Sequence, residues 1–306
     1  MTIVHTAKEL SAGHRQVCLA IGFFDGVHLG HQQIIRQTIA DARQHNAAAA
    51  VLTFDQHPNS VVAPARVPPL IYSLTRKISA IRDLGPDLLL LIHFDAAFSQ
   101  QPAETFIRRL AQDSGGIRTL CVGGNFTFGK NRGGNIDLLK KIGAELGFSV
   151  HAMAAISLDG NIISSTRIRN AIRSGDLNLA SQMLGRPYSL AAPIIPGDRV
   201  GRTLGFPTAN LDISGVALPP VGVYAASAIV RSGTYRAVVN IGFRPTLREK
   251  APTLHVEAHI LGLHADLYGE AIELIFLDKL RDEKKFASLK ELKEQIARDV
   301  ENAKSR

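Results

Sequence analysis

Gly22-Phe23-Phe24-Asp25-Gly26-Val27-His28-Leu29-Gly30-His31 follows an apolar run, Val17–Gly22, and opens an amphipathic stretch, His31–Gln44. Strand, glycine turn and helix in that order put the turn at the carboxyl end of a strand, where ligands of open parallel sheets sit. Glycine lets a backbone come close to phosphate, and a helix N-terminus favours negative charge. His28 and His31, at i and i+3, share one helical face. From there they would donate hydrogen bonds to a polyphosphate as charge builds on it, with Gly30 keeping the space between them open. Two histidines alone make a poor metal site.

Outward from that turn the first half keeps alternating. Near-continuous apolar runs at Val17–Gly22, Ala49–Phe54, Leu88–Phe94 and Thr119–Gly123, with a weaker one at Phe148–Ala154, read as strands covered on both faces. Amphipathic stretches at His31–Gln44, Thr75–Leu84, Ala103–Gln112 and Ile136–Leu146 separate them. Pro102 suits a helix start, and Gly85 and Gly147 suit helix ends. This alternation predicts a parallel sheet with helices on both faces.

The second half has another texture. Val223–Val230, Tyr235–Ile241, Leu254–Ile260 and Ala271–Leu277 are strand-like and separated by Gly, Pro and charged turns. Leu254, Val256, Ala258 and Ile260 face one way, and His255, Glu257 and His259 the other. That is the pattern of a half-buried strand in an antiparallel sheet or small barrel. A helix over Ser288–Ala303 closes the chain. The change of texture falls near Leu184–Tyr188, where Gly185 and Pro187 suggest a linker, so the expected domains are 1–186 and 187–306.

The 306 residues suggest two domains or one large one, and at 45% hydrophobic they can bury a core. The formal charge is +8, and residues 1–186 carry 19 Lys and Arg against 13 Asp and Glu. There is no dense basic block and no Trp, so nucleotide phosphates explain the excess better than a nucleic-acid face. Cys18 and Cys121 lie in apolar runs and are expected as buried free thiols, with no disulfide or cysteine-zinc pattern. The start, MTIVHTAKEL, is not a signal peptide, and no apolar stretch approaches the ~18 residues of a membrane span. A cytoplasmic protein is expected.

Other stretches carry chemistry with less specificity. In Ile163-Ser164-Ser165-Thr166-Arg167-Ile168-Arg169 the hydroxyls suit either ordinary helix N-caps or, with the arginines, a triphosphate clamp. Gly124-Asn125-Phe126-Thr127-Phe128-Gly129-Lys130-Asn131 imitates a P-loop. It lacks the final Ser or Thr that would hold magnesium, and Arg132-Gly133-Gly134 follows in place of a helix. In Gly201-Arg202-Thr203-Leu204-Gly205-Phe206-Pro207-Thr208-Ala209-Asn210, Thr208 and Asn210 face the same side of an extended segment. Their oxygens suit magnesium, or the routine hydrogen bonds of a turn. Glu257 is either solvated or, if its face lines a site, a base for a substrate hydroxyl.

The segments GFFDGVHLGHQ, LTFDQHP, VGGNFTFG, ISSTRIR, GRTLGFPTANL, GVYA, NIGFRPT, VEAHI, DLYG and LRDEKKF follow in that order, within a stretch from about Val17 to Asp299. Together they resemble the bacterial bifunctional riboflavin kinase/FAD synthetase family. HxGH is the signature of the nucleotidylyltransferase superfamily, and GRTLGFPTANL with NIGFRPT is more specific to the riboflavin kinase domain. The resemblance implies an α/β chain: a Rossmann-like nucleotidylyltransferase domain, then a small antiparallel β-barrel kinase domain with a terminal helix. It implies phosphorylation of riboflavin to FMN in the second domain, and adenylyl transfer from ATP to FMN, giving FAD and pyrophosphate, in the first.

By the same resemblance His28 and His31 would bind ATP phosphates and stabilise adenylyl transfer. Gly22, Phe23, Asp25 and Gly30 would shape the nucleotide pocket, and Asn125 would contact FMN. Ser164, Ser165, Thr166 and Arg167 would form the triphosphate loop. In the kinase domain Thr208 and Asn210 would hold Mg2+ and ATP, with Gly205 in the covering loop. Glu257 would be the general base, and Arg281 would lie near the flavin. Mg2+ is the implied cofactor, with no tightly bound prosthetic group. Riboflavin, FMN, FAD, ATP, ADP and pyrophosphate are the implied partners, without nucleic acid or membrane. The family often has proline where Gln56 stands and aspartate where Asn125 stands, and both bear on the FMN-side pocket. Another nucleotidylyltransferase would share the first half but has no use for the second. An RNA-binding, synthetase-like fragment is permitted by HxGH and the basic charge.

Overall fold

The computed structural model describes residues 1–13, 16–197, 200–244, 253–263, 265 and 267–306. The end of NIGFRPT, Pro245 and Thr246, and Asp266 of DLYG lie outside the described residues. The chain divides into two compact units. The first is Met1–Leu70 with Leu74–Arg167, and the second is Ile71–Ser73 with Ile168–Arg306.

In chain order the first unit carries β1 (Thr2–Val4), β2 (Val17–Ile21), α1 (Leu29–His45), β3 (Ala48–Phe54), α2 (Asn59–Val62), α3 (Leu74–Arg82), β4 (Leu88–Ile92), α4 (Ala96–Ser99), α5 (Ala103–Asp113), β5 (Ile117–Gly123), α6 (Ile136–Leu146), β6 (Ser149–Met153) and a hairpin of β7 (Ser157–Leu158) and β8 (Asn161–Ile162). Strands β1 to β6 form one sheet in the order β1-β4-β3-β2-β5-β6, and every pairing in it is parallel. Successive residues of β2 point to opposite faces. Val17, Leu19 and Ile21 join a core with Ile107 and Leu110 of α5 and Leu139 and Ile142 of α6. Cys18 packs instead with Ala42 of α1. Because both faces are covered, the strands read as unbroken apolar runs. Cys18 and Cys121 are buried free thiols, and burial pushes the Cys121 thiol up to about 12.

The boundary between the units falls inside α7 (Ser165–Ser174), and α8 (Leu177–Leu184) follows. The second unit then continues with β9 (Ser189–Ile195), α9 (Val200–Thr203), β10 (Ala209–Leu211), β11 (Gly222–Val230), β12 (Gly233–Arg244), β13 (Thr253–Ile260), β14 (Ala271–Arg281) and α10 (Leu289–Lys304). Among the described residues its strands close into an antiparallel barrel in the order β10-β13-β12-β11-β14-β9. On β13 the predicted alternation holds: Val256, Ala258 and Ile260 are buried, and His255, Glu257 and His259 are half-exposed. Tyr188, Tyr224 and Phe276 meet ring to ring in the interior. Each tyrosine hydroxyl donates to a carbonyl at 2.6 Å, Ala217 O and Pro220 O respectively, so burying these rings leaves no hydroxyl unsatisfied.

Helix α10 is capped at Ser288, whose Oγ accepts from Glu291 N at 3.2 Å, and it packs Val300 and Ala303 on the barrel. Arg281, placed near the flavin by the family motif, holds this helix. Its Nε and Nη2 donate to the Asp299 carboxylate at 2.8–3.1 Å, and Asp299 is buried. Removing one partner of a buried charged pair strands the other. Asp299→Ala is therefore expected to cost about 3 kcal/mol of stability in the second unit. Calorimetry would read this as a lower unfolding midpoint for the barrel, with the first unit's transition unmoved.

Candidate functional site

At the carboxyl end of β2 the backbone enters the left-handed region three times, at Phe24 (φ 54°), Gly26 (φ 77°) and Val27 (φ 43°). Such residues cost about 1–3 kcal/mol each when they are not glycine. Packing holds them: Phe24 and Val27 are buried, and Gln32 Nε2 donates to Val27 O at 3.0 Å. The turn delivers His28 to the N-cap of α1, where its Nδ1 accepts from His31 N at 3.4 Å. A ring nitrogen that accepts carries a lone pair, so Nε2 of His28 is the N–H donor. The His28 and His31 rings stack at 3.6 Å between centroids. A Cβ on Gly30 would lie 3.2 Å from His28 Cε1, which accounts for glycine between the histidines.

The second loop meets the first. Ser165 Oγ donates to Asp25 O at 3.1 Å, joining the start of α7 to the histidine turn. Ser164 Oγ accepts from Arg167 N at 3.2 Å, an ordinary cap. Arg167 Nη1 donates to Leu158 O and Asn161 O at 3.0 Å and steadies the β7–β8 hairpin. Thr166 is exposed at the helix start. Asn125 is exposed in the turn after β5, the strand beside β2. The loop that imitates a P-loop folds back on itself through a Phe128–Gly134 bridge, and α6 begins only at Ile136. Gln56 Nε2 donates to Phe94 O at 2.7 Å and links the ends of β3 and β4.

In the second unit the register pairs Asn210 of β10 with Glu257 of β13, and Thr208 Oγ1 donates to Glu257 Oε2 at 3.4 Å. The segment before β10 turns where Gly205 N donates to Arg202 O at 3.2 Å. A cavity of about 520 Å³ opens beside Thr208, lined by Arg202, Pro207, Ala258, Ile260 and Tyr268 among others. Apolar walls with a few polar groups are the usual form of a small-molecule site.

Residues 10–167 match the family model for FAD synthetase, and residues 184–306 match that for riboflavin kinase. Curated bifunctional riboflavin kinase/FMN adenylyltransferases of Haemophilus influenzae and Escherichia coli K12 are each 36% identical to the chain. The alignments cover 99% and 98% of this chain and 97% and 96% of theirs. The chain belongs to this bifunctional family. It is an enzyme of FAD biosynthesis, phosphorylating riboflavin to FMN and adenylylating FMN to FAD with ATP. The fold has a solved counterpart in a Streptococcus pneumoniae structure described as a macrolide-efflux protein, with TM-score 0.83 and 26% identity over the whole of both chains. That description belongs to that protein. Among the described residues here, no helix is long and apolar enough to cross a membrane.

Two residues of this bifunctional chain escape a reading of its motifs. Lys77, on α3, is buried with its Nζ donating to Phe54 O (2.7 Å), Phe23 O (3.3 Å) and Thr53 Oγ1 (3.4 Å), 4.3 Å above the Phe23 ring. Burial brings its pKa down to about 8, while Asp25 and Asp55 work the other way. Asp55 is itself held: burial opposes its charge, but hydrogen bonds from His93 and Phe94 N keep its carboxyl below the usual range. Lys77 shares a helical face with Leu74, Ala80 and Ile81, three and four residues away, so the signal that could have marked it is a lysine on the apolar face of α3. The other residue is Gly197, where a Cβ would fall 2.0 Å from Asn210 Nδ2.

Lys77→Met is expected to slow FMN adenylylation about 10²-fold through misplacement of the histidine turn, with riboflavin phosphorylation by the same chain as the internal control. The adenylylation rate should also fall through an alkaline limb near pH 8 that the kinase lacks and that Lys77→Arg removes. Stability runs the opposite way. The folded pKa lies below the unfolded one, so the cost of burying this charge is full below pH 8 and is relieved as pH rises from about 8 towards 10.5. Gly197→Ala should displace Asn210 and depress riboflavin phosphorylation while FMN adenylylation stays near wild type, read by chromatography of the flavins.

Proposed function

We propose that the two reactions run at two separate sites, adenylyl transfer within residues 1–186 and phosphorylation within 187–306. The observation that carries this is one cluster of candidate residues in each compact unit: the His28–His31 turn in one, and Thr208, Asn210 and Glu257 in the other.

In the second unit Glu257 takes the proton of the terminal ribityl hydroxyl. The resulting oxygen attacks the γ-phosphorus of ATP, and ADP leaves. Positioning supplies much of the rate, and the apolar cavity beside Thr208 suits a flavin ring or an adenine. Thr208 and Asn210 offer oxygen donors beside a carboxylate, a hard set that fits Mg2+. The ion, when bound, neutralises phosphate charge. Gly205 belongs to the loop that covers the phosphates. With its guanidinium on Asp299, Arg281 serves the flavin indirectly, by orienting the segment that follows β14.

In the first unit the FMN phosphate attacks the α-phosphorus of a second ATP, and pyrophosphate leaves. FMN is already an anion, so this step needs no general base. His28 and His31 stabilise the charge that builds on the phosphates. Ser164, Ser165, Thr166 and Arg167 face the β- and γ-phosphates. Gly22, Phe23, Asp25 and Gly30 shape the nucleotide pocket, and Asn125 lies on the FMN side. ATP as substrate and two buried thiols suit the cytoplasm. Flavins pass through as substrate and product, and neither nucleic acid nor membrane takes part.

Crossed variants test the assignment. Glu257→Gln should lower FMN formation from riboflavin about 10²–10⁴-fold and still adenylylate supplied FMN. The His28→Ala/His31→Ala double variant should accumulate FMN and lose FAD formation about 10²-fold or more. Loss of both activities in either folded variant would refute separate sites.

A further inference from the structure

Asp41, Cys121 and His151 lie outside both sites and far apart in sequence. The fold brings them together between α1 and the sheet. Cys121 of β5 stands in register with His151 of the edge strand β6, and with Ala20 of β2 on its other side. Asp41 reaches both from α1. Its Oδ2 lies 2.9 Å from His151 Nδ1 and accepts from Cys121 Sγ at 3.5 Å, and Cys121 Sγ is 3.9 Å from His151 Nδ1.

We infer that Asp41, Cys121 and His151 form a binding site for a borderline-soft divalent cation, Zn2+ in the first instance. Three observations support it. A thiol, an imidazole and a carboxylate are the donors that zinc takes and that magnesium and calcium do not favour. The triangle has the right size. Zn–S near 2.3 Å and Zn–N or Zn–O near 2.0–2.1 Å at tetrahedral angles set donor separations of about 3.3–3.6 Å. The observed 2.9, 3.5 and 3.9 Å meet that with shifts of a few tenths of an ångström.

Orientation is the third. Gln37 Nε2, one turn earlier on α1, donates to Asp41 Oδ1 at 2.7 Å and leaves Oδ2 turned to the other two. Outer hydrogen bonds of that kind fix first-shell ligands. Cys121 and Asp41 are buried, while the His151 side chain is 39% exposed at the sheet edge. A cation would enter from that side, and a water would complete the tetrahedron there. Binding replaces the thiol proton: the S–H bond breaks, a bond from sulfur to the metal forms, and one proton goes to solvent for each ion bound. The ion would clamp α1 to β5 and β6, about 15 Å along the helix from His31. This inference is independent of the assignment of the two phosphate sites.

The full-length protein, stripped with a chelator, would be titrated with Co2+ and followed by absorbance, then with Zn2+ in competition. Support is one equivalent of Co2+ giving tetrahedral visible bands with thiolate-to-cobalt charge transfer in the near ultraviolet, both erased by Zn2+. Cys18→Ser should keep the near-ultraviolet band, and Cys121→Ser should lose it. His151→Ala, at the half-exposed ligand, should weaken binding about 10²-fold while FMN and FAD formation in Mg2+ without added zinc or cobalt stays at wild-type level and reports a folded chain. Absence of a charge-transfer band in wild type, or a band that survives Cys121→Ser, overturns the inference and leaves the three residues as a hydrogen-bonded contact under α1.

Discussion

Where parallel strands end, carbonyls point into a crevice with no further strand to receive them, and buried polar groups must be bonded. At the ends of β2 and β3 the Lys77 ammonium answers that requirement, meeting Phe23 O, Phe54 O and Thr53 Oγ1. An ammonium has three donors and no acceptor, so it matches three oxygens. Its charge is costly to bury, and Asp25 and Asp55 offset part of that cost. With the end of β2 held there, the left-handed turn through Phe24, Gly26 and Val27 follows, and His28 arrives as the cap of α1 with its ring on His31.

The barrel assembles its candidate site by a different route. Glu257 lies between two strands, opposite Asn210 on β10 and Asn240 on β12. A carboxylate carried on a doubly paired strand has a rigid backbone beneath it, which loop-borne groups lack. The short strand β10 both closes the barrel against β9 and presents Asn210 to β13. Barrel closure and the pairing of Asn210 with Glu257 are thus one event in this unit, and the tight approach of Gly197 to Asn210 belongs to both.

Under the proposed assignment the residue content of the two sites follows from the charge of their nucleophiles. A ribityl hydroxyl is neutral and must lose a proton, so its site needs a carboxylate. A phosphate monoester arrives as an anion, so its site needs donors that stabilise negative charge and no base. Under the proposed assignment the first unit supplies imidazoles, hydroxyls and a helix N-terminus, and the second a carboxylate beside oxygen ligands.

Helix and strand positions were legible because their cause is local. The apolar runs and amphipathic stretches of the first half coincide with β2 to β6 and with α1, α3, α5 and α6 to within a few residues. Thr2–Val4 carries no such signal, since three residues become a strand only by pairing with Leu88–Leu90. The motifs that bring His28, His31, Thr208, Asn210 and Glu257 forward as candidates were legible too, because each sits in a short contiguous stretch.

What surrounds a side chain was decided by the tertiary structure alone. Which oxygens the Lys77 ammonium meets was set by the strand ends packed against α3, and Arg281 of a flavin-side motif closed on Asp299. Gly197 proved to be fixed by Asn210, and Asp41, Cys121 and His151 met across a helix and two strands. Periodicity and spacing report the backbone within a few turns of a residue. Burial, and with it pKa, hydrogen-bond partners and ligand geometry, depends on residues tens of positions away that only packing brings within reach.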